Sequence, residues 1–560
     1  MRKHNHSYIL LLLVLSLTNQ NCKKKTTDPI VEPVPIALQL AAAKFDQVGA
    51  FPNTVYYNTR TGVTMRVSFN NALNKTSVAG SVAVTENNGT VVPVNYGYEN
   101  HDSTLVITPA ASLKNLTRYT LTGATTLQSA QKGFLNGSFT FQFTTNLDSS
   151  NKFPVITDSA LLTLVQQQTF KYFWDFGHPT SGLARERNTS GDLVTSGGSG
   201  FGIMTIPVAI NRNFITRAQG LLRMQTIVGF LKNTAQTFHG AYPHWLNGNT
   251  GAVIPFSTKD NGADLVETSY LMAGLLTARQ YFNNATAVEE SLRNDINVIW
   301  NRVEWNWFRQ GGQNTLYWHW SPNYNWEMNL QVKGWNEALI TYVLAAASTT
   351  FTIPKTVYDN GWATGSNFTN GNTYFGYQLP LGPALGGPLF FEHYTFMGIN
   401  PNGLSDAYAS YSTQTKNHTL INYNYCKSNP KGHYGYSDRC WGLTASDIQG
   451  GYTASSPNND IGTIAPTAAL SSFPYTPAES MQALKFFYYV LGDKIWKEYG
   501  FVDAFSIKDI WFANSFLAID QGPIIVMLEN YRSGLVWNLF TSCPEVKAGL
   551  IKLGFTAPYL

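Results

Sequence analysis

Lys259-Asp-Asn-Gly-Ala-Asp-Leu-Val-Glu-Thr268, continuing as Ser269-Tyr-Leu-Met-Ala-Gly-Leu-Leu-Thr-Ala-Arg-Gln-Tyr-Phe282, is the stretch on which the fold turns. Asn261-Gly262 reads as a turn, and the apolar run after it as a helix. Asp260, Asp264 and Glu267 recur at helical spacing, which predicts three carboxylates on one face of the first turns. The helix macrodipole favours anions there. Three like charges so close still repel, and that crowding raises at least one carboxyl pKa, as acid/base chemistry at neutral pH requires. A solvated, acid-rich helix start is the plainer alternative.

The helical pattern recurs across residues 153–560. Amphipathic segments cover 159–174, 217–231, 264–282, 291–303, 336–347 and 477–491, with long loops rich in aromatics, Gly and Asn between them. Helix pairs with long loops at one end predict a mainly α domain, an α/α toroid whose cleft is built from loops and inner-helix ends. Residues 36–147 read differently. Val63-Thr-Met-Arg-Val-Ser-Phe69, Thr104-Leu-Val-Ile-Thr108 and Ser138-Phe-Thr-Phe-Gln-Phe-Thr144 alternate, and Asn87-Asn-Gly89 is a turn signal. These predict a small Ig-like β-sandwich, joined by a linker at 148–152.

A chain of 560 residues exceeds one ordinary domain. Aromatic residues make up 14% of it against 13% charged, more ring surface than a core needs and suited to sugar-stacking platforms. The formal charge is +4, and +2 once Arg2 and Lys3 are removed with residues 1–21. Lys23-Lys24-Lys25 is the one basic tract, so nucleic acid is not an expected partner. The apolar run at 8–17 is too short to span a bilayer but suits a signal h-region. With Cys22 and a Thr/Pro-rich stretch after it, the N-terminus resembles a bacterial lipoprotein signal. The expectation is a signal peptide (1–21), a tether (22–35), lipidation at Cys22, and an exported protein, periplasmic or outer-membrane associated, touching membrane only through its anchor. Cys426 and Cys440 can pair in an oxidising compartment, leaving Cys543 as an odd, buried thiol. No spacing suits a metal or a phosphate loop, so no cofactor and no metal is expected.

Further candidates lie in the loops. Tyr317-Trp-His-Trp-Ser-Pro-Asn-Tyr-Asn-Trp326 is densely aromatic, and Glu337 in Gly334-Trp-Asn-Glu-Ala-Leu-Ile340 stands near a helix start. Gly387-Pro-Leu-Phe-Phe-Glu-His-Tyr394 and Asn417-His-Thr-Leu-Ile-Asn422 set His393 and His418 in polar, aromatic surroundings, as candidates for contact with substrate. Cys440-Trp-Gly-Leu-Thr-Ala-Ser-Asp447 ends in an acid, and Asp520-Gln-Gly-Pro523 precedes an apolar helix. Trp318, Trp320, Trp326 and Trp335 are candidate stacking residues. Arg212 and Arg217 either contact substrate or pair with the acids. His244 reads as a hydrogen-bonded structural histidine, and Glu186 as ion-paired.

Together DNGADLVET, GWNEALI, GPLFFEHY, WGLTASD, Ser471-Ser-Phe-Pro-Tyr-Thr-Pro477 and AIDQGPI resemble the glucoamylase-like domain of glycoside hydrolase family 144, over nearly three quarters of the chain. The resemblance implies an (α/α)6 barrel acting on β-1,2-glucan or its oligosaccharides with inversion, either internally or by releasing sophorose from the non-reducing end. It implies Glu337 as general acid and Asp260, Asp264 and Glu267 as an acidic cluster containing a candidate base. Asp447 and Asp520 then line the cleft, Asp520 as a second candidate base. A monomer is expected. A silent glycan-binding lipoprotein is the alternative from another class, and mutually repelling carboxylates serve a binder poorly.

Overall fold

Alternation builds the first unit. The computed structural model describes residues 34–560, divided at Asn146 into two units. The signal peptide, Cys22 and nearly all of the tether lie outside the described residues. Strands β1 (Leu40–Phe45), β2 (Val48–Ala50), β3 (Val55–Thr59), β4 (Met65–Phe69), β5 (Val82–Glu86), β6 (Val91–Val92), β7 (Val94–Glu99), β8 (Thr104–Pro109), β9 (Arg118–Gly123) and β10 (Phe139–Thr145) form two five-stranded sheets. Their orders are β2-β1-β4-β8-β7 and β3-β10-β9-β5-β6. On β4, Met65, Val67 and Phe69 are buried while Arg66 and Ser68 are not. On β10, Phe139, Phe141 and Phe143 are buried, and the inner faces of both sheets close one core. Gly89, at φ +86, makes the turn between β5 and β6 that Asn87-Asn-Gly89 predicts.

The second unit is helical, with an inner and an outer set. Leu265–Tyr281 is buried along almost its whole length, as are Ser196–Asn211, Leu339–Ala347 and Ala518–Arg532. Helices apolar on all sides belong inside. Ser196–Asn211 packs between Leu265–Tyr281 and Ala518–Arg532, and Leu339–Ala347 packs on the far side of Leu265–Tyr281. Asp158–Trp174, Arg217–Asn233 and Ala287–Asn301 expose one face and form part of the outer set. This is the architecture of an (α/α)6 barrel.

The Ser196–Asn211 helix is missing from the segments expected above. Its sequence, SGGSGFGIMTIPVAIN, is poor in helix formers. Tertiary contact explains it. A Cβ at Gly200 would lie 2.2 Å from the Tyr270 carbonyl oxygen, and one at Gly274 would lie 2.2 Å from the Gly200 carbonyl oxygen. Only bare backbones bring these two inner helices so close. Ala518–Arg532 likewise starts before Asp520-Gln-Gly-Pro523, not after it, with Pro523 inside the helix. Among the described residues no helix is long and apolar enough to cross a membrane.

Candidate active site

Asp264 organises the site. Its backbone is extended (φ −118, ψ 110), making it the N-cap of Leu265–Tyr281. Its Oδ1 accepts from Val266 N–H at 3.0 Å and Glu267 N–H at 2.9 Å, satisfying two orphan donors of the helix start. The expectation of one helical face is therefore corrected: Asp260 lies in the preceding loop, and a cap plus a turn gathers the acids. Asp264 also pairs with His319 across a short antiparallel bridge. Its Oδ2 sits 3.3 Å from His244 Nδ1 and 3.5 Å from His319 Nε2. His319 Nε2 is also 3.3 Å from Asp260 Oδ2. Glu267 Oε2 accepts from the Gly197 N–H at 2.8 Å, where a Cβ would lie 2.3 Å from that oxygen.

Charge is unevenly shared in this cluster. Burial opposes the Asp264 carboxylate, but His244 and His319 outweigh it and hold the group well below the usual range. Burial pushes Glu267 up to about 7 and, with Asp264 adding repulsion, Asp260 up to about 6. Burial also opposes the His244 cation. Glu267, Asp264 and Asp260 overcome it and raise His244 to about 9. His319 is raised in the same way, by Asp264 and then Asp260. His244, read as structural from sequence, and His319, unremarked there, are thus part of the site. His244, Asp260 and Asp264 offer one possible metal-ligand atom each, all within 4.8 Å of one another. A protonated His244 donates into this space instead of ligating.

Glu337 stands just before Leu339–Ala347, and its backbone carbonyl accepts from Thr395 Oγ1 at 2.6 Å and Tyr270 Oη at 3.3 Å. Desolvation pushes its carboxyl up to about 7, with Glu267 and Asp264 adding repulsion. Tyr394 lies within electrostatic reach of both Glu337 and Asp520, so it links the first cluster to a second. There Arg187 bonds both Glu186 and Asp447. The Asp447 N–H donates to Asp503 Oδ2 at 2.6 Å, and the Asp503 and Asp520 carboxyls lie within reach of each other. Tyr452, 49% exposed, overhangs this group. Asp264, Glu267, Glu337 and Asp520 stand at inner-helix N-termini, where the backbone dipoles favour them.

The remaining candidates divide. Trp318 and Trp320 are half-buried beside the acids, next to His319 in the chain. Trp326 is half-buried and packs on Trp307 at 4.7 Å between centroids. Phe256, unremarked in the sequence, is exposed and stacks on His244 at 4.3 Å. Trp335 is corrected from stacking residue to core: it is buried, and its Nε1 donates to Glu392 at 3.0 Å. His418 is corrected too. It is fully buried, with Nδ1 2.8 Å from Glu392 and Nε2 3.1 Å from the Gly387 carbonyl. His393 is buried against Ser472 at 3.0 Å, and burial holds it down at about 3, hence neutral. Cys426, Cys440 and Cys543 are all free and buried, so the anticipated disulfide is not formed.

Arg212 and Arg217 are corrected by length. Arg212 caps the far end of Ser196–Asn211, about 22 Å from the Gly197 end at 1.5 Å per residue. It pairs with fully buried Glu529 at 2.7 Å, while Arg217 pairs with Glu289 at 2.9 Å. Arg212→Met leaves Glu529 buried beside neutral donors and is expected to lower stability by about 3 kcal/mol in urea unfolding, with kcat unchanged. A kcat loss at unchanged stability would return Arg212 to the site.

Comparison with known proteins places this arrangement. The Glycoamylase family model ("Putative glucoamylase") matches residues 329–544, and a bacterial Ig-like domain matches residues 48–145. A structure of the endo-β-1,2-glucanase of Chitinophaga pinensis, in complex with sophorotriose and glucose, is 51% identical with a TM-score of 0.71, covering 72% of this chain and 100% of that one. The β-1,2-glucanase of Parabacteroides distasonis is 37% identical with a TM-score of 0.70, covering 94% of this chain and 74% of that one. An exo β-1,2-glucooligosaccharide sophorohydrolase (non-reducing end) of P. distasonis is 45% identical over 428 residues, and the chain spans 59% of the length of that curated relative.

Proposed function

The chain belongs to the glucoamylase-like family, glycoside hydrolase family 144, and we propose that it hydrolyses β-1,2-glucan, cutting internally and with inversion. The observation that carries this reading is Glu337, a buried acid that desolvation and its neighbours push up to about 7, so that its protonated form is well populated up to neutral pH, with a second set of carboxylates in electrostatic reach of the same Tyr394. In the reaction a water oxygen bonds to the anomeric carbon as the glycosidic bond breaks. The leaving oxygen keeps the bonding electrons and takes the Glu337 proton, and the water proton passes to a carboxylate on the opposite side. Inverting sites hold the two carboxyls about 6.5–9.5 Å apart to admit that water. Asp520 is the base favoured here. The cationic His244, with His319 beside it, holds Asp264 ionised and presents a donor to sugar hydroxyls. Trp318, Trp320, Phe256 and Tyr452 supply ring faces for sugars.

The Chitinophaga likeness supports internal cleavage, and the sophorohydrolase likeness supports a second reading, release of sophorose from the chain end. A time course on linear β-1,2-glucan, beside α-1,4-, β-1,3- and β-1,4-glucans, separates them. A ladder of oligosaccharides from the β-1,2 polymer alone supports the first. Sophorose from the earliest point supports the second. No product from β-1,2-glucan sinks both and favours the binding protein. The residue pattern at 1–35 supports export as a lipid-anchored protein. Cys22→Ser is then expected to move the protein from the membrane to the soluble fraction, and an unchanged distribution contradicts anchoring.

A further inference from the structure

Asp503 and Asp520 are each 2% exposed. One oxygen of each, Asp503 Oδ1 and Asp520 Oδ2, meets no N–H or O–H donor in the protein. The two carboxyls lie within hydrogen-bonding reach of each other. Two ionised carboxylates that close repel, and one proton held between them relieves the repulsion and serves both orphaned oxygens. The geometry around the pair is fixed on both sides. Asp503 Oδ2 accepts from the Asp447 N–H at 2.6 Å, and the Asp503 N–H donates to the Ser515 carbonyl at 2.9 Å. Asp520 rides on the first turn of Ala518–Arg532, tied by the Ala518 N–H to the Glu186 carbonyl at 2.9 Å and by Thr467 Oγ1 to its own carbonyl at 2.8 Å. The charged and titratable groups facing the pair are Glu186, Asp447, Arg187, Tyr394 and Tyr452.

We propose that Asp503 is the positioning residue for Asp520, and that the two carboxyls, carrying one proton and one negative charge between them, receive the proton of the attacking water. The proposal rests on the hydrolase reading above. The water O–H bond breaks as its oxygen bonds to the anomeric carbon, and the proton passes to Asp520 as Asp520 hands its own proton to the Asp503 carboxylate. The leaving oxygen departs with the bonding pair and the Glu337 proton. The pair ends with two protons and Glu337 as a carboxylate, so charge and protons balance. Burial raises both aspartates, Asp503 to about 7, and the contact between them favours the negative charge on Asp503 and the proton on Asp520.

The test compares wild type, Asp503→Asn, Asp503→Glu and Asp520→Asn on linear β-1,2-glucan across pH. Asp503→Asn is expected to lower kcat about 100-fold with KM within about threefold. The acid limb of its kcat profile should move to higher pH by about one unit or more, because Asp520 must then ionise without a shared proton, and Asp503→Glu should restore part of the rate and of the limb. A kcat loss with the acid limb unmoved in an active series overturns the proposal alone. An inactive wild type overturns the substrate reading and the proposal with it. If Asp503→Asn does not fold, infrared titration of the wild type decides. A protonated-carboxyl band that persists above about pH 8 and disappears in Asp520→Asn supports the shared proton, and its absence from the wild type overturns it.

Discussion

Glu337→Gln is expected to lower kcat on β-1,2-glucan by about 10³- to 10⁴-fold, the upper range for a positioned acid. Substrate affinity should be retained, because glutamine keeps the shape of the side chain and the Thr395 and Tyr270 contacts are to the Glu337 backbone. The basic limb of the pH–rate profile should vanish with it, since that limb reports the carboxyl raised to about 7. Stability should move the other way. A folded pKa above the unfolded value of 4.5 gives stability that is full below 4.5 and lost as pH rises through about 7. The wild type therefore bears a penalty at pH 8 that the neutral amide does not, on the order of 2 kcal/mol. Urea unfolding at about pH 8 and pH 4 checks this, with the variant ahead at the higher pH and level at the lower. A destabilised variant at pH 8 would mean that the carboxylate is well solvated and that its pKa is ordinary.

Asp264→Asn has the second large effect. The amide oxygen can still cap Val266 and Glu267, but the charge facing His244 and His319 is gone. We expect kcat to fall by about 10²- to 10³-fold, as when one preorganised electrostatic group is removed. The His244 imidazole should fall well below its value of about 9. The signs for stability are opposite for the two partners. Asp264 is depressed, so its contribution is present above its unfolded value of 3.8 and is lost as pH falls through the lower folded value. His244 is raised, so its contribution is present below 6.5 and is lost as pH rises through about 9. The variant should lose most of the wild type's decline in stability between those pH values. Proton NMR titration of the histidines gives the direct reading, and a His244 that still titrates near 9 in the variant would assign its proton to Glu267 and Asp260.

Local chemistry made some of this site legible. Asn261-Gly262 and the run from Leu265 announce a turn and a helix, and Glu337 precedes an apolar helix in plain view. Asp264 as a cap was open to the same reading, because Asp is a preferred N-cap, yet regular helical spacing to Asp260 and Glu267 drew the eye to a shared face. His319 had no local signal. Its place beside Asp264 comes from one antiparallel bridge between segments 55 residues apart. Asp503 sits in Gly500-Phe-Val-Asp-Ala504, and an acid alone among apolar residues was its only mark. Glu392 explains two errors at once, since Trp335 and His418 converge, together with Gln414, on its Oε1 inside the core. Polar residues that satisfy one another in the interior look, in sequence, like residues awaiting a sugar. The Gly-rich inner helix escaped for a related reason: its stability lies in contacts with Leu265–Tyr281, not in its own propensities.

The most direct measurement is proton NMR of the first products formed from linear β-1,2-glucan by the wild-type protein, recorded before mutarotation. Hydrolysis through Glu337 as acid and a water-activating carboxylate opposite it predicts β-1,2-linked oligosaccharides whose new reducing ends appear first as the α-anomer. New ends appearing first as the β-anomer would contradict inversion and make one of these carboxylates a nucleophile, and an unchanged polymer would contradict the hydrolase reading itself.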